Sequence, residues 1–513
     1  MNGSATLHPS QFDILIIGAG ISGINAAYRV QTQLPGLRYA ILEARDTIGG
    51  TWDLFRYPGI RSDSDLFTFG FPWNPWPNNN PIASGGAICQ YMREAAARHG
   101  IDSHILFHHR VRAAHWSSAD STWSLDVEVG AGAGADAGAD ADADARGQRK
   151  TLTARFVIWG SGYYNYHEPL DAYIPGLDSF AGTTIHPQFW PEDYDYTDKK
   201  IVVIGSGATA ITLVPVLAEK AARVTMLQRS PTYILTLPNS SSSLLRFLLP
   251  RRLFLQFQRI KWIWLGRIFY LFCQGFPWLS RVILRLLAKW QLPAHVPHDP
   301  HFEPRYNPWD QRVCISPDGD FFRCFHSGRA DVKTDTIKTV TPSGIQLASG
   351  DFLDADVIVT ATGLKLQMAG GATFTVDGKP LVPASKFMWH GILLQDLPNA
   401  AFVLGYANAS WTLGADATAR FVCRLIKTMQ RRDAVAVVPR LPDGASLQPR
   451  SLMPLSSTYL TTASSAVPKA GDRGPWKPRD NYISDNWFAE HGRIDDDLEF
   501  VGGGSFKLRE KQL

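Results

Sequence analysis

The stretch Phe12-Asp-Ile-Leu-Ile-Ile-Gly18-Ala-Gly20-Ile-Ser-Gly23 decides how this chain of 513 residues folds. Its first six residues, apolar except for Asp13, are typical of a buried parallel strand, and residues 21–33 continue with the pattern of a helix. Residues 39–42 then form a second strand that ends at Glu43. A strand, a glycine-rich turn, a helix and a second strand predict a βαβ unit of the dinucleotide-binding kind.

The three glycines of this turn each meet a geometric need. Gly18 permits the tight turn, Gly20 lets a pyrophosphate approach the backbone, and Gly23 lets the helix pack on the strand. The start of the helix offers free N–H groups and a positive dipole end to the phosphates. Glu43, at the end of the next strand, can accept hydrogen bonds from both ribose hydroxyls. Together these residues predict a bound dinucleotide.

A second unit of the same design begins at residues 200–204, which again form an apolar strand. Gly205, Gly207 and Ala210 keep the glycine-rich turn, and residues 224–227 form the strand after the helix. Two such turns predict two dinucleotides. A protein that holds two dinucleotides usually passes electrons between them, so the two turns indicate a flavin enzyme that is reduced by a nicotinamide.

The strand after the second turn ends in Gln228-Arg229-Ser230, so no carboxylate occupies the ribose position. A carboxylate would repel a 2′-phosphate, whereas Arg229 can bind one through charge-assisted hydrogen bonds. Arg229 and the adjacent Ser230 therefore indicate NADPH rather than NADH. The alternative is that Arg229 is a solvated surface charge.

Composition limits the class of protein. Hydrophobic residues make up 45% and charged residues 19% of the chain, and the net charge is +4, which does not indicate a nucleic-acid partner. The five cysteines are scattered without a Cys-x-x-Cys pair, which argues against a disulfide framework, a zinc or other metal site and a redox dithiol. The N-terminus lacks the pattern of a signal peptide, so we expect a cytoplasmic protein.

The order of elements predicts an α/β fold with two Rossmann-like domains of three layers (ββα), the NADP domain being inserted in the FAD domain. We expect the first part of the FAD domain at 1–177, the NADPH domain at 178–336, and the rest of the FAD domain with the C-terminal region at 337–513. The late apolar strand at 356–360 is placed in this last part.

One segment of the first domain departs from this order. Residues 111–129 alternate apolar and polar side chains, which predicts an antiparallel hairpin. They run into residues 130–147, an Ala/Gly/Asp tract without a large apolar residue. Such a tract cannot bury enough surface to order itself, so we expect a disordered insertion, with an acidic docking tail as the alternative.

Residues 244–292 are rich in Leu, Ile, Phe and Trp, and they predict a helical subdomain at about 244–297. Charges interrupt the apolar runs too often for a transmembrane span. Two interpretations stay open and can coexist: a helical cap over the active site with a basic solvent face, or an amphipathic helix in an anionic membrane surface. The polar side chains that recur at helical spacing are Arg252, Gln256, Arg259, Arg267, Gln274, Arg281, Arg285 and Lys289.

Two further segments belong with the first turn. Gly49-Gly50-Thr51-Trp52 lets backbone pass close to a bound flavin, with Trp52 packed nearby. The polar loop at 56–65 follows, and dense polar loops after a dinucleotide site are more often functional than structural.

The stretch between the two units carries the pattern Phe-x-Gly-x-x-x-His-x-x-x-Trp-Pro, as Phe180, Gly182, His186, Trp190 and Pro191. In this pattern the chain resembles the class B flavoprotein monooxygenases, and specifically the Baeyer–Villiger monooxygenases. It is similar to the subgroup of the ethionamide-activating monooxygenase through the strings at 55–65, 161–166, 306–312 and 408–413. The resemblance covers nearly the whole chain.

The resemblance implies an enzyme with FAD and NADPH that uses O2, through a flavin C4a-peroxide, to convert a ketone into an ester or lactone. It implies that Arg312 keeps this peroxide anionic and that Asp63 is the carboxylate that pairs with Arg312. Other subgroups carry a lysine before this arginine, but Gln311 stands here, which leaves more of the NADPH affinity to Arg229. Trp411 is a further candidate for the cofactor pocket, with core packing as the alternative.

Several alternatives stay open beside this interpretation. His186 and Trp190 either couple domain movement to the position of the cofactor or have a packing role. Sulfoxidation is an expected side activity, and a flavin-containing monooxygenase that oxygenates nitrogen or sulfur is the nearest other function. A pyridine nucleotide–disulfide reductase would need a dithiol, which this sequence lacks. A membrane-docking protein with a structural flavin is a further alternative, and the oligomeric state is left open.

Overall fold

The computed structural model describes residues 10–130, 147–240, 248–442, 444–453 and 466–502. The strands, in chain order, are β1 Gln11–Ile17, β2 Tyr39–Leu42, β3 Ile105–Leu106, β4 His109–Ser117, β5 Thr122–Val129, β6 Gln148–Trp159, β7 Tyr164–Pro169, β8 Thr183–Ile185, β9 Lys200–Ile204, β10 Arg223–Gln228, β11 Ile234–Leu237, β12 Cys314–Pro317, β13 Ala330–Thr334, β14 Ile337–Thr341, β15 Gly344–Leu347, β16 Phe352–Asp354, β17 Val357–Thr360, β18 Leu364–Leu366, β19 Thr373–Val376, β20 Lys379–Leu381, β21 Met388–Trp389, β22 Leu393–Leu394, β23 Ala400–Phe402, β24 Ala434–Pro439 and β25 Leu498–Gly502.

The helices of the described ranges connect these strands or cover their sheets. They are α1 Ile21–Gln33, α2 Thr51–Leu54, α3 Leu66–Phe69, α4 Gly85–Arg98, α5 Ala208–Leu217, α6 Arg251–Gly275, α7 Pro277–Gln291, α8 Asp320–Phe325, α9 Trp411–Arg431 and α10 Tyr482–His491.

The first sheet has 11 strands, and its main path runs β20-β19-β4-β5-β6-β1-β2-β3. Strand β1 lies parallel to β2 and β6, as the first βαβ unit requires. Alternate residues of β1 face opposite layers: Ile14 and Ile16 pack in the cluster with α1, α4 and α9, whereas Leu15 and Ile17 pack with the β4–β5 hairpin. This is the predicted three-layer arrangement.

The second sheet is parallel throughout and runs β13-β10-β9-β17-β8. Alternate residues of strand β9 also face opposite layers. Ile201 and Val203 pack with α5 and α8. Val202 and Ile204 pack instead with the small sheet of β14, β15 and β16. The chain therefore builds two three-layer Rossmann-like bodies, and the predicted fold class is confirmed.

The strand predicted at 356–360 exists as β17, but its placement in the last part of the FAD domain was wrong. β17 pairs with β9 and β8 in the second sheet, and the chain rejoins the first sheet only at β19. A fully buried parallel strand has the same apolar pattern in either sheet, so its sequence cannot tell which sheet it joins. The small sheet formed by 337–354 also packs on the second body.

The helical subdomain consists of α6 and α7, two helices joined at Phe276. The basic solvent face expected for it was wrong in part, because Arg259 turns inward and donates to the carbonyl oxygens of Phe67, Thr68 and Gly70. Large apolar side chains occupy much of the outer side instead. In the described ranges no helix is both long and apolar enough to cross a bilayer.

The hairpin predicted at 111–129 is confirmed by the antiparallel pairing of β4 and β5. Most of the Ala/Gly/Asp tract at 130–147, for which we expect disorder, lies outside the described residues.

Candidate active site

The first glycine-rich turn is closed by backbone contacts on both sides. Gly18 has φ +100°, and a Cβ there would lie 2.9 Å from the carbonyl oxygen of Gly160. A Cβ on Gly23 would lie 1.8 Å from the carbonyl oxygen of Gly18. Only glycine allows β1, α1 and β6 to approach this closely.

Gly20 and Gly50 face each other across the mouth of this turn. A Cβ on Gly20 would lie 3.6 Å from the Cα of Gly50, and Gly50 itself has φ +56°. Gly20 begins α1 without a side chain that caps the first turn. The N–H groups of that turn are thus left to bind an anion, which fits the pyrophosphate of a dinucleotide.

Glu43 is buried beside the turn, with 6% of its surface exposed. One carboxylate oxygen accepts from the Ala19 N–H at 2.6 Å and the other from the Arg45 N–H at 2.9 Å. Burial raises the pKa of Glu43, and the two backbone N–H groups oppose this rise. The carboxylate is thereby held at the end of β2, where the ribose of a dinucleotide is expected.

A cavity of about 1010 Å³ begins at this turn and reaches the second body. Its size suits a large cofactor together with a small substrate. The predicted residues that line it are Gly18, Gly20, Glu43, Gly50, Thr51, Trp52, Asp63, Arg312 and Trp411. The residues predicted for FAD therefore fit that group, through a glycine cradle, an uncapped helix start and a buried carboxylate.

Thr51, Trp52 and Trp411 form part of the cavity wall. The Thr51 hydroxyl lies 3.1 Å from the hydroxyl of Tyr166, whose pKa burial raises to about 12. Trp52 packs edge-on against Phe69. Trp411 donates from Nε1 to the Ser22 hydroxyl at 2.9 Å, so α9 is tied to the first turn of α1.

Asp63 and Arg312 come together on this wall although they are far apart in the sequence. Arg312 Nε lies 3.3 Å from Asp63 Oδ2, and both side chains are partly exposed to the cavity, at 36% and 39%. The pair that the resemblance implies is thus present. A guanidinium keeps its positive charge at any working pH, so the cavity wall carries a permanent cation at Arg312.

The loop before Arg312 is held by aromatic side chains. Tyr233 donates from its hydroxyl to the Tyr306 carbonyl at 2.8 Å. Trp309 packs edge-on against Phe269 and Tyr270 of α6. Helix α6 therefore supports the loop that carries the arginine, although α6 does not line the cavity in the described chain.

The second turn is tight at one end and open at the other. Gly205 has φ +135°, and a Cβ there would lie 2.3 Å from the Ala361 carbonyl oxygen. Ala210 is fully buried, whereas a Cβ on Gly207 would meet no atom of the described chain within 4 Å. Thr209, two residues later, lines the large cavity and connects it to this turn.

Arg229 and Ser230 follow β10 at the exposed edge of the second turn. Ser206 donates from its hydroxyl to the Ser230 carbonyl at 2.8 Å, which ties the glycine turn to this edge. The Arg229 side chain is exposed to solvent, so packing in the core does not explain why an arginine stands at this position. An exposed guanidinium beside a glycine-rich turn can bind a 2′-phosphate.

The Phe-x-Gly-x-x-x-His-x-x-x-Trp-Pro segment joins the two bodies but does not line the cavity in the described chain. A Cβ on Gly182 would lie 2.4 Å from the Asp356 carbonyl oxygen and 2.6 Å from the ring of Phe180, so glycine is needed between them. Trp190 is buried and packs edge-on against Tyr196. Pro191 accepts from the Tyr194 N–H at 3.1 Å.

His186 adds a contact with the second body, which this segment already joins through the pairing of β8 with β17. Its Nε2 donates to the Gly363 carbonyl at 3.3 Å, and its Nδ1 accepts from the Gln188 N–H at 3.2 Å. Burial lowers the pKa of His186, which favours the neutral ring that these two roles require. Coupling of His186 to domain movement stays a prediction.

Sequence reasoning did not single out Tyr57, Tyr166 and Thr209, although all three line the cavity. Tyr57 and Thr209 are joined by a side-chain hydrogen bond, so they bridge the two bodies. Tyr57 lies in the polar loop at 56–65 and Tyr166 in the string at 161–166. Membership of these two segments was the only sequence feature that could have pointed to them. In the described ranges, no group of three or more His, Cys, Asp or Glu side chains could hold a metal ion.

Comparisons with known proteins agree with this geometry. The NAD(P)-binding Rossmann-like domain matches residues 16–82, and the pyridine nucleotide-disulphide oxidoreductase family matches residues 141–247. The FAD-containing monooxygenase EthA of Mycobacterium tuberculosis is 44% identical over 488 residues, which cover 94% of this chain and 96% of the relative. EthA of Mycolicibacterium smegmatis is 44% identical over 489 residues, at 95% and 96% coverage.

Solved structures extend the likeness to the fold. Oxidized steroid monooxygenase bound to NADP has a TM-score of 0.73 at 20% identity, and covers 96% of this chain and 100% of its own. The polycyclic ketone monooxygenase of Thermothelomyces thermophila has a TM-score of 0.70 at 18% identity, with 96% and 90% coverage. The predicted resemblance is confirmed, and the chain belongs to the family of FAD-containing monooxygenases, with the fold of the Baeyer–Villiger monooxygenases.

Proposed function

We propose that this protein is a Baeyer–Villiger monooxygenase that binds FAD and NADPH and inserts one oxygen atom of O2 beside the carbonyl of a ketone, giving an ester or lactone. The observation that carries the proposal is the Asp63–Arg312 pair on the wall of the cavity that begins at the first glycine-rich turn. Sulfoxidation is the expected side activity.

The residues of the first body would hold FAD and those of the second would hold NADPH. Once bound, FAD would supply the redox chemistry, because it takes two electrons from NADPH and passes them to O2. Glu43 and the start of α1 would bind the ribose and pyrophosphate of FAD. Arg229 and the second turn would bind NADPH, where the 2′-phosphate meets a guanidinium.

Arg312 has the property that this reaction requires of the protein. An oxygen nucleophile attacks a carbonyl much faster when it is deprotonated, and a fixed cation favours the deprotonated form. Asp63 pairs with Nε of the guanidinium and so orients its remaining N–H groups. Exclusion of water by the cavity walls would strengthen both effects.

The test is Arg312→Ala, with Arg305→Ala as the matched control in the same loop. Arg305 is exposed and does not line the cavity. We expect Arg312→Ala to be reduced by NADPH while ester formation from a panel of linear, cyclic and aryl ketones falls by about 10²–10³-fold or more, as for loss of a key electrostatic group. Arg305→Ala should behave as the wild type.

Product identification separates the outcomes of this experiment. Unimpaired ketone conversion by Arg312→Ala would refute the role of the arginine. A wild-type enzyme that oxidises sulfides and amines but leaves every ketone unchanged would instead indicate the nitrogen- or sulfur-oxygenating class of flavin-containing monooxygenases.

The cellular location is part of the same proposal. We propose a cytoplasmic enzyme that associates with a membrane at its periphery, through residues 244–292. The cysteines of the described chain are all free, which suits a reducing compartment.

A further inference from the structure

Helices α6 and α7 each expose a continuous row of large apolar side chains, which together we name the outer stripe. In α6 the row has helical spacings of three and four residues, and in α7 the spacings are the same. Its members are between 39% and 85% exposed. They are Leu253, Phe257, Ile260, Trp264, Ile268, Leu271, Leu279, Ile283, Leu286 and Trp290.

The opposite side of both helices is buried against the rest of the protein. Phe254, Gln258 and Cys273 are buried on α6, and Leu284 and Ala288 are buried on α7. The two helices therefore cannot turn the outer stripe inward without exposing an established core face.

Specific contacts fix this orientation. Arg259 donates to three backbone carbonyls of the segment 67–70, and Trp262 stacks on Phe67 with ring centroids 6.3 Å apart. Phe269 and Leu284 join the cluster around Tyr233. The exposure of the outer stripe is thus a consequence of how the helices are anchored.

An exposed apolar surface of this extent indicates a binding surface rather than ordinary solvent exposure. Its tryptophans are informative, since Trp264 is 51% and Trp290 85% exposed. A tryptophan ring combines a large apolar body with one polar N–H, which suits the boundary between water and lipid.

The charges on α6 and α7 indicate which kind of surface the outer stripe binds. No Asp or Glu occurs between Lys220 and His298, while twelve Lys and Arg residues do. Exposed cations lie on α6 and α7 beside the outer stripe. They are Arg252, Lys261 and Lys289. An apolar stripe on two helices that carry cations and no acid is complementary to a surface of anionic lipid headgroups.

A second copy of the chain fits this surface less well. Symmetric pairing of two outer stripes would bring the same cations of both copies together without a compensating acid in this segment. Repulsion of like charges would oppose such a dimer.

We propose that the outer stripe docks the protein on the anionic face of a lipid bilayer, with its apolar side chains placed between the headgroups and the acyl chains. This inference rests on the peripheral location proposed above and names the surface and the lipid class. It does not depend on the chemistry performed on ketones.

The test is flotation of the FAD-loaded protein with vesicles of phosphatidylcholine, alone or mixed with phosphatidylglycerol. We compare the wild type with the triple variant Trp264→Gln, Leu286→Gln and Trp290→Gln. The control triple variant is Tyr173→Gln, Phe352→Gln and Val382→Gln, whose parent side chains are exposed outside the two helices. All six positions are exposed, so the folded core is preserved.

We expect the wild type and the control to float with the anionic vesicles and to be released by salt. Partitioning of the stripe variant should fall by about tenfold or more, since burial of even one such side chain accounts for a factor of that size. Vesicles of phosphatidylcholine alone should bind all three proteins more weakly.

Three results would overturn the docking proposal. They are a wild type that does not float, equal flotation of the stripe variant and the wild type, and self-association in sedimentation that the stripe variant abolishes while vesicles bind none of the proteins. Ketone turnover is measured on the same samples. If flotation behaves as expected but no ketone is converted, the docking proposal stands and the proposed reaction fails.

Discussion

The two glycine-rich turns follow one backbone plan but differ in how far they are closed. At the first turn, a Cβ on Gly20 would contact the Cα of Gly50 at 3.6 Å, and Glu43 is only 6% exposed. At the second turn, the space beside Gly207 is open and Arg229 is exposed to solvent. The same motif thus builds an enclosed site in one body and an open one in the other.

This difference corresponds to what each cofactor must do in the proposed reaction. FAD has to stay bound through every cycle, and an enclosed site with a buried carboxylate favours retention. NADPH has to enter and its product to leave, and an open site with a surface cation favours exchange. The closure of the turn, more than its glycine pattern, therefore distinguishes the two sites.

The largest effect is expected for Gly23→Ala. The added Cβ would lie 1.8 Å from the Gly18 carbonyl oxygen, so α1 would have to move away from β1. Overpacking of this kind costs about 1–3 kcal/mol or more. We expect a protein that purifies without FAD or unfolds at lower temperature, measured by flavin absorbance and by thermal melting. Full flavin content with an unchanged melting temperature would show that the first turn is less closed than its geometry indicates.

The first turn could be predicted in detail because its signal is local. The turn, its helix at 21–33 and the acid at Glu43 lie within one short segment, and the structure has α1 at the predicted residues. The pairing of Asp63 with Arg312 depends on how distant segments fold together, so only the resemblance to a family suggested it.

For helices α6 and α7, by contrast, the sequence predicted the helices but not which side faces the protein. Their helical spacing was readable, because periodicity depends on the chain itself. Which side turns inward depends on the contacts that the neighbouring body offers. Arg259 finds three carbonyl acceptors there, so a residue expected in solvent lies inside. The sheet that β17 joins was missed for the same reason.

A smaller effect is expected for Glu43→Gln, which keeps the shape of the side chain. The amide has one acceptor oxygen, so either the Ala19 N–H or the Arg45 N–H loses its partner. An unsatisfied buried donor costs about 1–3 kcal/mol. We expect a lower melting temperature and faster loss of flavin on dialysis. Unaltered retention of FAD would contradict the assignment of Glu43 to the first dinucleotide.

Arg229→Ala removes the cation that we expect to bind the 2′-phosphate at the second site. Hydrogen bonds to a charged group contribute about 1.5–3 kcal/mol, so the KM for NADPH should rise by about tenfold or more. The KM for NADH should change little, because NADH lacks the 2′-phosphate. Flavin content and melting temperature should match the wild type, since the side chain is exposed. Equal losses with both nucleotides would indicate misfolding rather than loss of a phosphate contact.

Gly207→Ala changes the second turn where the space beside the glycine is open, and its effect should be the smallest. Gly207 begins α5 with φ −78°, which alanine adopts without strain, and its Cβ would meet no described atom within 4 Å. Folding and flavin content should therefore be unchanged. The methyl group would face the expected path of the NADPH pyrophosphate, so a rise of only about a few-fold in the KM for NADPH is expected. Loss of flavin from this variant would show that the two sites are not independent, and the contrast between an enclosed and an open turn would then fail.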